Sequence, residues 1–194
     1  MNKAIARVLA ILWTLFGFAV LAEAQTMKNE GLNPKQRSIV TIAAFTAQGD
    51  MEKLNSALHE GLHTGLTVNE IKEVLVQMYA YCGFPRSLNG IGAFMAVMDE
   101  RQRKGIKDER GREASPLPAD MNRDEYGAKV RARLAGSDVI PPPSGYQLFT
   151  PIIDTCLKEH LFADIFARDI LDHQSRELAT ISALAAMTGT GGQL

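Results

Sequence analysis

Cysteine is scarce: two in 194 residues, too few for a disulfide scaffold or a structural zinc cluster. An excess of one charge is missing as well. Lys and Arg number 21 against 22 Asp and Glu, a formal charge of −1, so the basic footprint of a nucleic-acid binder is absent. No alternating, β-branched run of strand type occurs, and a sheet is therefore not expected. The apolar run from Val8 to Leu21 has 14 residues, short of the roughly 20 that span a bilayer. What is present is 46% hydrophobic and 22% charged, a balance that folds rather than stays disordered. The length suits one domain or two small ones.

That apolar run reads as a leader. Lys3 and Arg7 precede it, and Ala22-Glu23-Ala24 supplies small residues at −3 and −1 of a cleavage point. Cleavage after Ala24 leaves a chain starting at Gln25 with a charge of −2, 19 basic against 21 acidic residues. The expected location is periplasmic or secreted, with no stable membrane anchor after cleavage. An intracellular nucleotide substrate is not expected.

Punctuation marks four helices. Asn33-Pro34 opens the first, Ile39, Ile42, Ala43 and Phe45 recur at helical spacing, and Gly49 closes it. Asp50 caps a second helix with the stripe Leu54, Leu58 and Leu62, ended by Gly65. Thr67-Val68-Asn69-Glu70 is a capping box, with Leu66 and Ile71 as its hydrophobic staple. The third helix carries Ile71, Val74, Leu75 and Met78 and stops at Gly83 before Pro85. A fourth runs from about Arg86 to Arg103. From Arg101 to Ser144 charge and proline dominate, and the triplet Pro141-Pro142-Pro143 excludes helix interior. Asn122 to Leu134 reads as a short solvated helix. Apolar patterning returns from Ile152 to Ile170, and a last helix spans about His173 to Met187.

The last helix repeats the first. Leu32 to Ala47 aligns with Leu171 to Ala186 at an offset of 139, with six of 16 pairs identical, among them Arg37 with Arg176 and Thr41 with Thr180. The second copy reaches Leu194 where the second helix of the first copy begins.

The segment Arg37-Ser-Ile-Val-Thr41-Ile-Ala-Ala, the turn Gly65-Leu66-Thr67 with Glu70-Ile71-Lys-Glu73, and Tyr81-Cys82-Gly83-Phe84-Pro85 together resemble the carboxymuconolactone decarboxylase family. That family also holds the alkylhydroperoxidase D-type thiol peroxidases. The resemblance covers residues 32 to about 98 fully and 145 to 194 as a partial repeat. It implies an all-α fold, a small pocket between helices, and homo-oligomers. The expected organisation is a leader (1–24), a helical repeat (25–105), a Pro- and charge-rich connector (106–150) and a partial second repeat (151–194).

The family's catalytic residues mostly do not carry over. The peroxidase branch's Cys-x-x-Cys-x-x-x-His falls on Asp50, Lys53 and Ala57, and its proton-relay Glu falls on Ser38. Glu177 holds the relay position in the second copy. Without a low-pKa thiolate and a resolving thiol, peroxidase chemistry loses its support. The decarboxylase branch uses the same His, so Ala57 weakens that activity too.

Other residues remain candidates. His59-Glu60-Gly61-Leu62-His63 fits H-E-x-x-H, two imidazoles one helical turn apart with a carboxylate between. Gly61, Gly65 and the want of a third ligand favour two flanking histidines instead, and no metal is expected. Cys82 reads as a buried, inert thiol, because a helix C-terminus raises a thiol pKa; a disulfide to Cys156 is the alternative in an oxidising compartment. Arg86 is a candidate carboxylate anchor and Tyr81 a proton donor, while the plainer reading of Arg86 is a solvated side chain. Glu73 is a general base if buried beside the tyrosines, and otherwise a solvated helix-dipole partner. His160 reads as a surface residue.

Two functions follow. One is an exported, cofactor-free enzyme acting on a small carboxylate or lactone, a lyase resembling the decarboxylases. The other is a non-catalytic helical oligomer that binds or scaffolds. A peroxiredoxin-type oxidoreductase ranks below both.

Overall fold

The computed structural model describes residues 31–194, so the expected leader lies outside the described residues. No strand occurs among the described residues, and the fold is all-helical as expected. Helix α1 (Pro34–Gln48) ends at Gly49, whose φ of +76° turns the chain straight into Asp50. Asp50 caps α2 (Met51–His63) by accepting from the Lys53 backbone N–H at 3.1 Å. Helix α3 (Val68–Gln77) opens on the expected capping box. Thr67 Oγ1 accepts from Glu70 N at 3.2 Å, and Glu70 Oε2 accepts from Thr67 N at 2.7 Å. The staple residues Leu66 and Ile71 are both buried in the main core.

Helix α4 (Tyr79–Arg103) is broken at Gly83, where φ is +81° and ψ 159°. That break is why Pro85 is tolerated. Its ring falls in the first turn of the longer piece, where a missing N–H costs no ladder bond. Then come α5 (Arg123–Leu134), α6 (Tyr146–Phe149) and α7 (Pro151–Cys156), which widens into a π-type segment, Leu157–Ile165. Asp172 caps α8 (His173–Ala186).

Helix α1 is sandwiched. One side meets α2, α3 and α4, and the other makes the most extensive helix pairing among the described residues, with α8. The two helices meet through small residues, Ala43 and Ala47 on α1 and Ala179 and Ala183 on α8, all fully buried. On α8 the apolar residues Leu178, Ile181, Leu184 and Met187 recur at three and four, yet that stripe is only partly the buried one. The buried face is instead Arg176, Ala179, Thr180, Ala183 and Leu184. Ile181 is 52% exposed while its repeat-mate Ile42 is at 0%, because α1 is covered from two sides and α8 mainly from one.

Helix α5 is not the solvated helix its charge suggested. Asn122 caps it as its position implied, but Gly127, Ala128, Val130 and Ala132 are buried. They lie against the Leu157–Ile165 segment, and Val130 joins Leu161, Ile165 and Phe166 in a second core. Tyr81 touches both cores.

A buried ionic cluster ties the ends of the fold together. Glu73 on α3 is nearly inaccessible and faces two arginines from the far end of the chain. Arg168 Nη2 donates to Glu73 Oε1 at 2.7 Å, and Arg176 Nη2 donates to Oε2 at 2.9 Å. Arg176, at 0% exposure, also donates to Gln77 Oε1 at 3.1 Å and to the Arg168 carbonyl at 2.8 Å. Gln77 Nε2 returns a bond to the Arg176 carbonyl at 2.8 Å. Burial alone would push the Glu73 carboxyl up, but the two guanidinium partners outweigh it and hold the group below the ordinary glutamate range.

Gly127 shows how closely α5 sits on its partner: a Cβ there would lie 1.8 Å from the Lys158 carbonyl oxygen. Gly127→Ala must force the two segments apart, at a cost of about 1–3 kcal/mol. Chemical denaturation is expected to show that loss. An unchanged midpoint would mean that α5 does not pack here.

Candidate functional site

Three chain segments converge on a cavity of about 330 Å³. The C-terminal end of α1 contributes Gln48, the broken start of α4 contributes Tyr81 and Arg86, and the chain after α8 contributes Met187, Thr188 and Thr190. The Gly83 break produces this arrangement. By leaving helical geometry between Tyr81 and Arg86, it lets both side chains reach one space, although five positions on a continuous helix differ by well over a right angle.

Tyr81 is held from behind. Its hydroxyl shares a 3.0 Å hydrogen bond with Thr180 Oγ1, which also accepts from Gln77 Nε2 at 3.1 Å. Burial is the main cause that pushes the phenol up to about 12, with the Glu177 carboxylate adding to it, so Tyr81 keeps its proton at neutral pH. Arg86 donates through Nη1 to the Ala47 carbonyl at the end of α1. The guanidinium is thereby fixed at the cavity, with its remaining N–H groups available to an anion. Thus the structure brings Tyr81 and Arg86 together. Glu177 is half-buried near Tyr81, and burial raises its carboxyl above the ordinary value.

The other sequence candidates lie elsewhere. Glu73 is in the buried cluster, locked as an ionised partner of Arg168 and Arg176, an environment opposite to the one that makes a carboxylate a poised base. Cys82 is half-buried and donates its thiol to the Met78 carbonyl at 3.0 Å. Burial pushes that thiol up, and nearby Arg86 only partly offsets it. Cys82 and Cys156 are both free. Of the H-E-x-x-H residues, His59 turns toward Glu100 at 3.6 Å, while Glu60 and His63 are exposed on α2. Among the described residues, no three His, Cys, Asp or Glu are grouped to hold a metal ion. His160 is exposed as read, yet bonds through one ring nitrogen to Tyr79 and through Nδ1 to Asp164 at 3.0 Å.

The positions where the peroxidase branch carries its thiols are structural here. Asp50 and Lys53 form the α2 cap and a 2.8 Å ion pair. Ser38 bonds Thr64 across α1 and α2 at 2.9 Å, and Ala57 is buried in the core.

Sequence reasoning missed Arg168, Gln77 and Thr180, the groups that fix Glu73 and Tyr81. A signal existed for one of them: Glu73 and Gln77 stand four apart beside the apolar stripe of α3, two polar groups that a buried face accepts only when paired. Arg168 lies in a turn and gave no such sign.

Residues 9–96 match the model of the carboxymuconolactone decarboxylase family. A segment of 78 residues is 32% identical to an uncharacterized 15.0 kDa protein in the nqo9-nqo10 intergenic region of Paracoccus denitrificans. That match spans 39% of this chain and 58% of the relative's length. The matched region holds α1 to α3 and most of α4, including Tyr81 and Arg86, so the helical segment that carries these two side chains is similar to the carboxymuconolactone decarboxylase family.

Proposed function

We propose that the cavity between α1, α4 and the end of α8 binds a small carboxylate or lactone and that the protein is a cofactor-free decarboxylase-like lyase. The observation that carries this reading is the placement of one guanidinium, Arg86, and one protonated phenol, Tyr81, on the same small cavity. Loss of CO₂ from a bound carboxylate whose adjoining carbon is conjugated to a carbonyl, as in a carboxylated lactone, leaves the bonding pair delocalised as an enolate. Arg86 balances that charge, the Tyr81 hydroxyl delivers a proton to the carbon, and water reprotonates the phenolate. A phenol with a pKa pushed up to about 12 is a weak acid in the ground state. It donates only as negative charge develops opposite it.

A second reading is binding without turnover. The Asp50–Lys53 ion pair favours it, since it fills the positions where the family's peroxidase branch holds its reacting thiols. Thiol peroxidase chemistry has less support, because burial raises the Cys82 thiol and the structure holds it on the Met78 carbonyl.

Calorimetric titration with a panel of small dicarboxylates and carboxylated γ-lactones tests the site. Arg86→Leu is expected to weaken binding at least about 10-fold, the worth of a charge-assisted hydrogen bond. Tyr81→Phe should leave affinity within about 2-fold and abolish CO₂ release. Equal affinity in Arg86→Leu would refute the site. Binding without CO₂ release by the wild-type chain would establish the second reading.

Export is part of the proposal, supported by Lys3, Arg7, the Val8–Leu21 run and Ala22-Glu23-Ala24. The family match enters the same stretch at residue 9, so the two readings compete for these residues. Intact mass of the protein recovered from its native cells is expected to correspond to a chain beginning at Gln25. A mass that includes residues 1–24 would contradict cleavage.

A further inference from the structure

Away from the cavity, three side chains form a separate line of polar contacts. Tyr79 is the first residue of α4, ahead of the Gly83 break, and its hydroxyl lies at the surface against Nε2 of His160. Through Nδ1, His160 meets Asp164 Oδ2 at 3.0 Å. The other carboxylate oxygen, Oδ1, accepts from Arg123 Nε at 2.7 Å. None of these four residues lines the cavity that holds Tyr81 and Arg86.

The order of the groups fixes their protons. Burial raises the Asp164 carboxyl, but Arg123 and His160 outweigh it and hold the group below the ordinary aspartate range. An ionised carboxylate only accepts. The imidazole in its neutral form therefore carries its hydrogen on Nδ1 and turns the Nε2 lone pair toward the phenol. Tyr79 keeps its proton at neutral pH, since burial, seconded by the Asp164 charge, pushes its hydroxyl above the ordinary value. A hydroxyl protonated at rest, a base within reach and a carboxylate that orients the base make up an activated nucleophile.

The backbone holds these groups in place. His160 and Asp164 sit on the π-type segment Leu157–Ile165, a rare, wide winding that recurs at functional sites. Leu161, Ile165 and Phe166 pack the same stretch into the second core, and the Tyr79 ring packs against that core as well. Nucleophile and base are thus positioned by one apolar cluster, although 81 positions separate them in the chain. Beside them the Phe84 ring, 63% exposed, stacks on Tyr79 with centroids 4.7 Å apart and planes 17° from parallel. It offers a flat apolar face to an aromatic group next to the hydroxyl.

We propose that Tyr79, His160 and Asp164 form a second reactive site, at which the Tyr79 hydroxyl takes the acyl group of an aryl ester. A bond forms between Tyr79 Oη and the acyl carbon while His160 Nε2 takes the phenolic proton. The bond to the ester oxygen then breaks, and His160 passes the proton to the departing phenolate. Water attacks the O-acyl tyrosine with His160 again as base, a carboxylic acid leaves, and Tyr79 recovers its proton. The phenol sets the substrate class, because the tetrahedral adduct expels the less basic of its two oxygens. An alkyl ester, whose alkoxide is more basic than tyrosinate, falls back to starting material, whereas an activated aryl ester goes forward. The proposal is independent of whether the cavity is catalytic.

Incubation of the full-length chain with p-nitrophenyl acetate at neutral pH tests it, read by release of p-nitrophenolate and by peptide mass mapping. The acetyl group is expected on Tyr79 ahead of the other three tyrosines, and Tyr79→Phe, which keeps the ring stack, should abolish it. His160→Ala, at an exposed position, should slow acetylation about 100-fold, the low end of what a general base contributes. Both changes leave the second core intact, as circular dichroism would show. Asp164 acts through His160 as a positioning residue: Asp164→Asn should cost at least about 10-fold, and Asp164→Glu should recover part of that loss. Ethyl acetate should not be consumed. Three results would overturn the proposal. Acetylation spread over the lysines, with release unchanged in Tyr79→Phe, would make the reaction adventitious. An unchanged rate in His160→Ala would show that the imidazole is not the base. Consumption of ethyl acetate at a comparable rate would show that a phenol is not the nucleophile.

Discussion

The pairing of Glu73 with Arg176 links the first part of this chain to the last. Glu73 stands on α3, inside the family-matching segment, and Arg176 on α8, outside it. Neither charge has access to water worth the name, and a buried charge without its partner costs several kcal/mol. Each therefore obliges the other to be in place. Helix α8 is consequently fixed in rotation as well as position: Arg176 must face α3, so Ala179, Thr180 and Ala183 face α1 and the core. An apolar pair of similar volume could match the stability of such a cluster but would not dictate which face of α8 turns inward.

The cavity inherits its geometry from that constraint. Thr180, one turn beyond Arg176, receives Gln77 and holds the Tyr81 hydroxyl. The chain leaving α8 then supplies Met187, Thr188 and Thr190 to the cavity wall. On the opposite side Arg86 is fixed by the end of α1. A rotation of α8 would separate Tyr81 from its hydroxyl partner and open the far wall. The polar cluster thereby decides whether Tyr81 and Arg86 share one cavity.

Local signals in the sequence were strong where backbone chemistry is local. The Thr67–Glu70 box, the Asp50 cap and the stops at Gly49, Gly65 and Gly83 all need only neighbours within a few residues, and all are present. The expected repeat aligns Leu32–Ala47 with Leu171–Ala186, and α1 packs against α8. What the repeat hid was the difference between the copies. Arg37 is exposed and Arg176 fully buried, and Ile42 is buried and Ile181 exposed, because burial depends on which elements lie alongside rather than on the residue itself. Tyr81 and Arg86 were legible as candidates from their places around the Gly83 break. Glu73 was legible as a candidate base but not as the buried ionic partner it is, since its arginines lie about a hundred positions away. Helix α5 was misjudged for a similar reason: its charges face water, while Gly127, Ala128 and Val130 are hidden by a segment some thirty residues later.

A double-mutant cycle between Glu73→Gln and Arg176→Met tests the central claim most directly, with unfolding free energy measured at neutral pH. Glu73 has its carboxyl held below the ordinary value, so its contribution is complete above the unfolded-state pKa and is lost only as pH falls through the lower folded value. Glu73→Gln leaves the fully buried Arg176 without its carboxylate and should cost about 3–5 kcal/mol, whereas Arg176→Met leaves Glu73 still bound by Arg168 and should cost less. The double variant should lose less than the two singles combined, by at least about 2 kcal/mol, since it leaves no fully buried charge unpaired and the part-exposed Arg168 can turn to water. A coupling below about 0.5 kcal/mol, the scatter expected of independent sites, would show that α8 is not held by this pair.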